Sequence, residues 1–471
     1  MPESPRHPAL LTDLYELTMA AAYFENKFAA NATFELFVRS LPPERNFLLA
    51  AGLEQALDYL ENVRFRDDEI EYLRQQPVFR HITPAFFDYL KTFRFSGEVW
   101  AVPEGTPVFG EEPLLRVTAP IIEAQIVETF LLSMLTFQTM IAAKAARATR
   151  AAQGRPVVEF GSRRAHGPEA GVLAARAAYV GGCTGTSNVE AGHRFGIPIF
   201  GTLAHSFVMA YTDEVEAFEK FHHLFPEHSV LLVDTYDTLA AVDKVIQNDL
   251  RPTAIRLDSG DLLTLSKQAR RRLDQAGLKE TRIFASGDLD EYAIAKLLVG
   301  GAQIDAFGVG TALATSKDAP ALGGVYKLVD LETGGDISYR AKFSEEKITY
   351  PGRKQIFRFR GSDGKSSKDI VACESEEFPD GEVLLHRVMQ NGARVGPSPD
   401  LQEIQQHARQ KLDMLPKECL RLDQPEPYSV SFSQHLRALL TVVRKDIKER
   451  TATRDGRPRE TARDSVPLPK F

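Results

Sequence analysis

Between residues 156 and 311 the chain keeps one rhythm: a short apolar run, a polar or glycine-bearing end, then a stretch with helical periodicity. The apolar runs fall at 157–160, 197–203, 229–233, 254–257, 282–285 and 304–309, with a short seventh near 183–186. Helical patterns at 169–179, 213–225, 238–247, 262–276 and 291–298 lie between them. Alternation of this kind makes the strands parallel, because each crossover helix returns the chain to the same end of the sheet. Seven such units favour a closed or nearly closed barrel over an open dinucleotide-binding sheet. Neither a G-x-G-x-x-G fingerprint nor a Walker lysine motif is present. Barrels place their chemistry where strands end, and these strands end in Gly201-Thr202-Leu203-Ala204-His205-Ser206, Val233-Asp234, Leu257-Asp258-Ser259-Gly260-Asp261, Ala285-Ser286-Gly287-Asp288 and Phe307-Gly308-Val309-Gly310-Thr311.

The segments on either side differ. Residues 13–28 read as a helix with Thr12 or Asp13 as its cap, and 32–38 as a strand with Phe34, Leu36 and Val38 on one face. Helical patterns follow at 48–61 and 68–74, short antiparallel strands across 97–120, and a long helix over 123–152. After Lys317 antiparallel strands are expected at 326–329, 339–343 and 355–360, then helices at 400–412 and 433–450. At 471 residues the chain exceeds one ordinary core. The division expected is an N-terminal α/β sandwich domain over 1–152, an irregular α/β (TIM-like) barrel over 153–325, and a C-terminal extension over 326–450 packing on both. An Arg/Pro/Thr-rich tail over 451–471 is expected to be disordered.

A net charge of −7 argues against a dedicated nucleic-acid binder. Three widely spaced cysteines form neither a disulfide framework nor a zinc pattern, which fits a reducing, cytoplasmic compartment. The polar first eight residues read as no signal peptide, and no apolar run approaches transmembrane length, so no membrane role is expected.

At the strand ends, His205 among carboxylates is suited to proton transfer or to accepting a phosphoryl group. Asp237 and Asp261 sit where helices begin and read as caps, leaving Asp234 and Asp258 for the site. The glycine-bearing ends at Gly287-Asp288 and Gly308-Val309-Gly310-Thr311 suit a phosphate, because glycine lets the backbone approach closely. Phe160-Gly161-Ser162-Arg163-Arg164 brings an aromatic and two guanidiniums to the first strand's mouth, and Arg163 is assigned to an anionic ligand group. Arg256 shares its strand face with Asp258 by period-two alternation.

These residues resemble the nicotinate phosphoribosyltransferase family. The likeness lies in Leu11-Thr12-Asp13-Leu14-Tyr15-Glu16-Leu17-Thr18-Met19, Glu159-Phe160-Gly161-Ser162-Arg163-Arg164, the His205-Ser206 motif, Arg256-Leu257-Asp258-Ser259-Gly260-Asp261, Gly308-Val309-Gly310-Thr311 and Leu322-Gly323-Gly324-Val325-Tyr326-Lys327-Leu328. It implies condensation of nicotinate with 5-phosphoribosyl 1-pyrophosphate to nicotinate mononucleotide and pyrophosphate, in NAD biosynthesis. It further implies ATP as co-substrate, hydrolysed through a phosphohistidine at His205, and Mg²⁺ or Mn²⁺ held by Asp234 or Asp258, directly or through water. Tyr15 and Phe160 match aromatics that sandwich the pyridine ring, with Tyr15 reaching in from the second subunit of a homodimer. Thr202, Arg256, Arg163 and Ser187 fall to nicotinate. Ser206, Gly287, Asp288, Gly308, Gly310 and Thr311 fall to phosphoribosyl pyrophosphate.

The related nicotinamide phosphoribosyltransferases carry an aspartate at the position matching Ser187. Serine removes a carboxylate that would repel nicotinate, so nicotinate is the expected substrate. Cys373 and Cys419 stand alone, so the structural zinc of some smaller archaeal relatives is not expected. Two rivals remain: a transferase acting on nicotinamide or quinolinate, and a catalytically silent barrel that binds nucleotides.

Overall fold

A computed structural model of the protein describes residues 8–43, 45–344 and 347–454. At its centre six parallel strands lie in the order Gly185–Thr186, Val157–Glu159, Ala306–Val309, Arg282–Ala285, Ala254–Leu257 and Val230–Leu232. Apolar residues of these strands form the core: Val157, Leu231, Ile255, Ile283 and Phe307 are all almost fully buried. Helices Pro168–Val180, Thr238–Gln247, Leu262–Gln275 and Glu291–Val299 connect them, each within a few residues of its expected bounds.

The ring is closed by something other than a strand. The run 197–203, expected as a buried strand, is extended but irregular, and Ile199 and Phe200 are about half exposed. It still bridges the gap between the two edge strands. The Thr186 N–H donates to Pro198 O (3.1 Å) and the Phe200 N–H to Thr186 O (2.9 Å), while the Leu203 N–H reaches Val230 O (3.4 Å). Pro198 offers no N–H of its own, so a continuous ladder cannot form there. The barrel is therefore closed at this seam by one isolated bridge to Thr186 and one hydrogen bond to Val230, and His205 opens the short helix His205–Met209 directly after it.

The N-terminal segment builds a seven-stranded sheet that borrows strands from far along the chain. Its order is Asp336–Tyr339, Gly324–Thr333, Asn31–Val38, Pro113–Pro120, Glu98–Ala101, His386–Gln390 and Ala393–Arg394. Asn31–Val38 lies inside this sheet, so it is buried on both faces after Asn31 rather than on the single face that alternation suggested. The first helix runs Leu14–Glu25. Asp13 makes no side-chain cap there; Thr12 instead bonds Glu16 and Ile126 O (3.1 Å). Leu48–Leu49 is a short strand ahead of helix Leu53–Asn62, not part of it. A four-stranded sheet, Glu382–Val383, Lys354–Arg360, Ser366–Cys373 and Ser429–Phe432, completes the C-terminal part. The final helix continues from Gln434 to Arg454; the remainder of the tail expected at 451–471 lies outside the described residues.

Helix Glu128–Ala151 corrects one sequence expectation, being long and apolar enough to cross a membrane by length and composition. It is instead a core helix, with 67% of its apolar window buried. Ala142, Ala143, Ala145 and Ala146 are fully buried along it, where short side chains allow close packing of neighbouring elements.

Candidate active site

The expected acids and Arg256 meet at one end of the barrel. Arg256 leaves the strand Ala254–Leu257 and spreads its guanidinium over three neighbours. Its Nε donates to Ser286 Oγ, its Nη1 to Thr202 Oγ1 and its Nη2 to Asp258 Oδ1, each at 2.7 Å. The Ser286 hydroxyl donates in turn to the same Asp258 oxygen (2.5 Å). A guanidinium carries five N–H donors; with three engaged, one N–H remains on each terminal nitrogen for an anionic ligand to accept. Phe160 lies beneath, its ring centroid 5.7 Å from the guanidinium carbon and 5.5 Å from the Phe284 ring. An aromatic ring with a guanidinium held over it offers both apolar surface and positive charge to a flat aromatic acid.

His205 faces this cluster from the closing seam. Its Nδ1 lies 3.1 Å from Thr235 Oγ1, and its Nε2 lies 3.8 Å from Asp258 Oδ2. Burial acts to raise the Asp258 pKa, but the Ser286 hydroxyl, Arg256 and His205 together hold it below the usual carboxylate range. Asp258 is thus a fixed anion, both oxygens facing partners.

Asp234 is arranged differently. Its Oδ2 accepts the Asp258 N–H (3.1 Å) and the Ser259 hydroxyl (2.5 Å), while its Oδ1 is buried with no hydrogen-bond partner. A buried, unpartnered carboxylate oxygen is costly, and a divalent cation or its water shell would satisfy it. Among the described residues no group of three or more His, Cys, Asp or Glu side chains could hold a metal. The fit is therefore to a cation that takes one or two carboxylates and draws its other ligands from substrate phosphates and water, as Mg²⁺ does. Asp234 suits that duty better than Asp258, whose oxygens are already engaged.

The glycine positions divide by geometry. Gly287 has φ of +93°, and a Cβ there would stand 1.9 Å from Asp258 O, so the Ser286-Gly287-Asp288 turn rests directly on the Asp258 backbone. Only glycine tolerates both conditions. Gly308 is buried within its strand, and a Cβ would stand 2.7 Å from the Phe160 ring. Its absent side chain makes room for that aromatic. Gly310 precedes the short helix Thr311–Ala314, with Thr311 half-buried at its start. Asp288, Ser206 and Ser187 are exposed around the same mouth.

Asp237 and Asp261 are caps, as expected: Asp237 accepts the Ala240 N–H (2.8 Å), and Asp261 accepts those of Leu263 and Thr264. Arg163 and Arg164 are exposed beyond the Phe160 turn, and among the described residues neither forms an ion pair. Tyr15 is not brought to this mouth by its own chain. It lies on the first helix, where burial, then Glu128 and Glu16, push its phenol pKa up.

Sequence reasoning missed Ser286 as the link between Arg256 and Asp258, and missed Glu159 and Thr235. Glu159 is buried behind Phe160, accepting the Thr186 hydroxyl (2.6 Å) and the Gly161 N–H, and burial raises its pKa. It ties the Phe160 turn to the neighbouring strand. The only available signal was a carboxylate inside an apolar strand, at Val157-Val158-Glu159-Phe160.

With this geometry in view, comparison with known proteins is specific. Residues 10–136 and 380–440 match the N-terminal and C-terminal domains of nicotinate phosphoribosyltransferase, and residues 141–319 match the quinolinate phosphoribosyl transferase C-terminal domain. A nicotinate phosphoribosyltransferase of Mycobacterium tuberculosis is 48% identical over 436 residues, 91% of this chain and 92% of its own. One from Bacillus subtilis is 41% identical over 459 residues, covering 90% of this chain and 93% of its own. The crystal structure of human nicotinic acid phosphoribosyltransferase superposes with a TM-score of 0.81 at 31% identity, covering 92% of this chain and 99% of that one.

Proposed function

The chain belongs to the nicotinate phosphoribosyltransferase family, and from that premise we propose that it condenses nicotinate with 5-phosphoribosyl 1-pyrophosphate. The products are nicotinate mononucleotide and pyrophosphate, a step of NAD biosynthesis. The observation that carries the reading is Arg256, pinned by three neighbours with two N–H groups left over, above the Phe160 ring.

The pyridine ring lies against Phe160 with its carboxylate on the Arg256 fork. The ring nitrogen then attacks ribose C1 as the C1–O bond to pyrophosphate breaks. The transition state has oxocarbenium character and needs little proton transfer, so positioning and charge stabilisation supply the rate. Asp258, kept ionised, lies where a developing positive charge is stabilised. The turns at Ser286-Gly287-Asp288 and Gly310-Thr311, with Ser206, take the phosphate groups, while Arg163 stands with the nicotinate contacts. Asp234, and Asp258 through water, would hold Mg²⁺ or Mn²⁺, which when bound neutralises the pyrophosphate.

ATP enters as co-substrate. The His205 imidazole accepts the terminal phosphoryl group as ADP leaves, and water later releases it as phosphate. Support comes from the position of His205, with Thr235 orienting one ring nitrogen and the other facing Asp258. Ser187 leaves room for the nicotinate carboxylate and so favours the acid over the amide.

The protein acts as a cytoplasmic homodimer in this reading, with Tyr15 of a second copy covering the ring. Leu14 and Tyr15 on the first helix, and Ile199, Phe200 and Tyr236 by the mouth, are large apolar side chains left about half exposed or more.

The test is nicotinate mononucleotide formation with and without ATP, for wild type and His205→Ala. The expected result is product from wild type, stimulated by ATP, with the stimulation lost in the variant. Equal stimulation in both removes His205 from this role; no product from any pyridine favours the silent barrel.

A further inference from the structure

Behind the barrel mouth lies a second set of charges that the reaction does not use. Lys144 and Arg147, on the core helix Glu128–Ala151, both hold Glu291: Lys144 Nζ is 2.7 Å from Oε2 and Arg147 Nε is 2.9 Å from Oε1. Lys144 also reaches Asp318 Oδ1 at 2.7 Å. Arg45, from the N-terminal segment, donates to both Asp318 oxygens (3.1 Å) and to Ser316 Oγ (2.7 Å). Glu291 is fully buried, and the side chains of Arg45, Lys144 and Arg147 are 3% exposed or less.

Burying four charges, with Asp318 at the edge as a fifth, is a poor way to gain stability alone, since apolar residues of similar size serve as well or better. Where the two carboxylates lie is more informative. Glu291 opens the helix that follows the Ser286-Gly287-Asp288 turn, five residues after Ser286. Asp318 and Ser316 follow the short helix entered through Gly310-Thr311. The left-handed region is entered at Gly287 and Asp288 in the first turn and at Ser316 just past the short helix Thr311–Ala314, with φ of +93°, +46° and +43°. Such backbone persists only where its surroundings hold it. Both carboxylates are kept ionised against the effect of burial: Glu291 chiefly by Lys144 and then Arg147, and Asp318, brought down to about 2, by Arg45 and then Lys144.

We propose that Glu291 and Asp318 are positioning residues that hold the two phosphate-facing turns in register, through three cations of the N-terminal segment: Arg45, Lys144 and Arg147. The inference rests on the transferase reading for the ligand those turns receive, phosphoribosyl pyrophosphate. It touches neither the nicotinate contacts nor His205.

The experiment measures the Kd of phosphoribosyl pyrophosphate by calorimetry on the full chain, and the KM of each substrate, for wild type, Glu291→Gln and Asp318→Asn. The expected result is a phosphoribosyl pyrophosphate Kd and KM raised about tenfold or more, with nicotinate KM within about twofold of wild type. Lys144→Arg, which keeps the charge, should recover most of the affinity lost in Lys144→Met. Asp369→Asn, in a buried pair remote from these turns, is the structural control: a lower Tm with both KM values unmoved. The proposal is overturned if Glu291→Gln and Asp318→Asn behave like that control, or if both substrates weaken equally. Should Glu291→Gln not fold, the more exposed Asp318 carries the test. Wild type that binds phosphoribosyl pyrophosphate without forming a nucleotide would overturn the transferase reading, while the Kd values still decide this one. Wild type that does not bind it overturns both.

Discussion

At the barrel mouth Arg256 grips Asp258 through one nitrogen; in the C-terminal sheet Arg358 grips Asp369 through two. Arg358 and Asp369 are 3% and 0% exposed, against 14% and 28% for Arg256 and Asp258. Arg358 also donates from Nη2 to Pro107 O (2.9 Å) and lies 5.5 and 5.8 Å from the rings of Phe109 and Tyr428, which stack on each other. The Tyr428 hydroxyl closes on Asp369 (2.9 Å). That pair is sealed and fastens the C-terminal sheet to the N-terminal segment. Arg256 instead divides its donors among Thr202, Asp258 and Ser286, stays partly exposed and has one aromatic ring beside it. The same two residue types make a fastening when the pair is buried and a binding site when it stays partly open.

The sharpest way to break this comparison is to remove one member from each pair. Arg256→Ala should lower kcat/KM for nicotinate by about 10²–10³-fold, as expected when charged hydrogen bonds to a substrate are lost, with little change in Tm. Asp369→Asn should do the reverse, costing about 3–5 kcal/mol because Arg358 is left buried and poorly paired, with nicotinate kinetics intact in the folded protein. Thermal melts beside initial rates check both, and any exchange of these phenotypes would refute the distinction.

A smaller effect sharpens the account of selectivity. Ser187→Asp places a carboxylate at the mouth and should reduce kcat/KM for nicotinate by about tenfold or more through like-charge repulsion. Unchanged nicotinate kinetics would show that Ser187 does not face the acid.

The smallest effect extends the comparison to a carboxylate held neutral. Burial pushes Glu16 up to about 8, assisted by Glu128 and Asp13. The folded state then keeps a proton that the unfolded chain has released, so this group makes stability fall as pH rises from 4.5 to about 8. Glu16→Gln should flatten that slope. Asp258 has the opposite sign: its pKa is held down, so its contribution is present above the ordinary carboxylate range and is lost as pH falls through the lower folded value. Denaturation of Glu16→Gln and Asp258→Asn across pH 3 to 9, an interval set by ordinary carboxylate pKa values of about 4 and the raised one, checks both signs.

Much of the barrel could be read from the chain because its information is local. Apolar runs such as Ala254-Ile255-Arg256-Leu257, and aspartates at helix starts such as Asp237 and Asp261, carry their own signals. The closing seam at 197–203 misled, since an apolar run containing Pro198 and Gly201 looks like a strand yet cannot form a full ladder. Ser286 and Glu291 were illegible for another reason. Their partners, Arg256, Lys144 and Arg147, are distant in sequence and meet them only through tertiary packing. The same holds for Gly324–Thr333, which pairs with Asn31–Val38 nearly three hundred residues earlier. Tyr15 lies on the N-terminal helix, about half exposed, and its proposed place at the ring of a second copy rests on the family likeness alone.

One measurement addresses the central claim most directly: product analysis of the wild-type protein offered phosphoribosyl pyrophosphate and Mg²⁺ with nicotinate, nicotinamide or quinolinate in turn. The open Arg256 fork beside Phe160, with Ser187 at the mouth, predicts nicotinate mononucleotide and pyrophosphate from nicotinate, and much slower turnover of the other two. Preferred use of quinolinate with release of carbon dioxide, preferred use of nicotinamide, or no nucleotide from any of the three would contradict it.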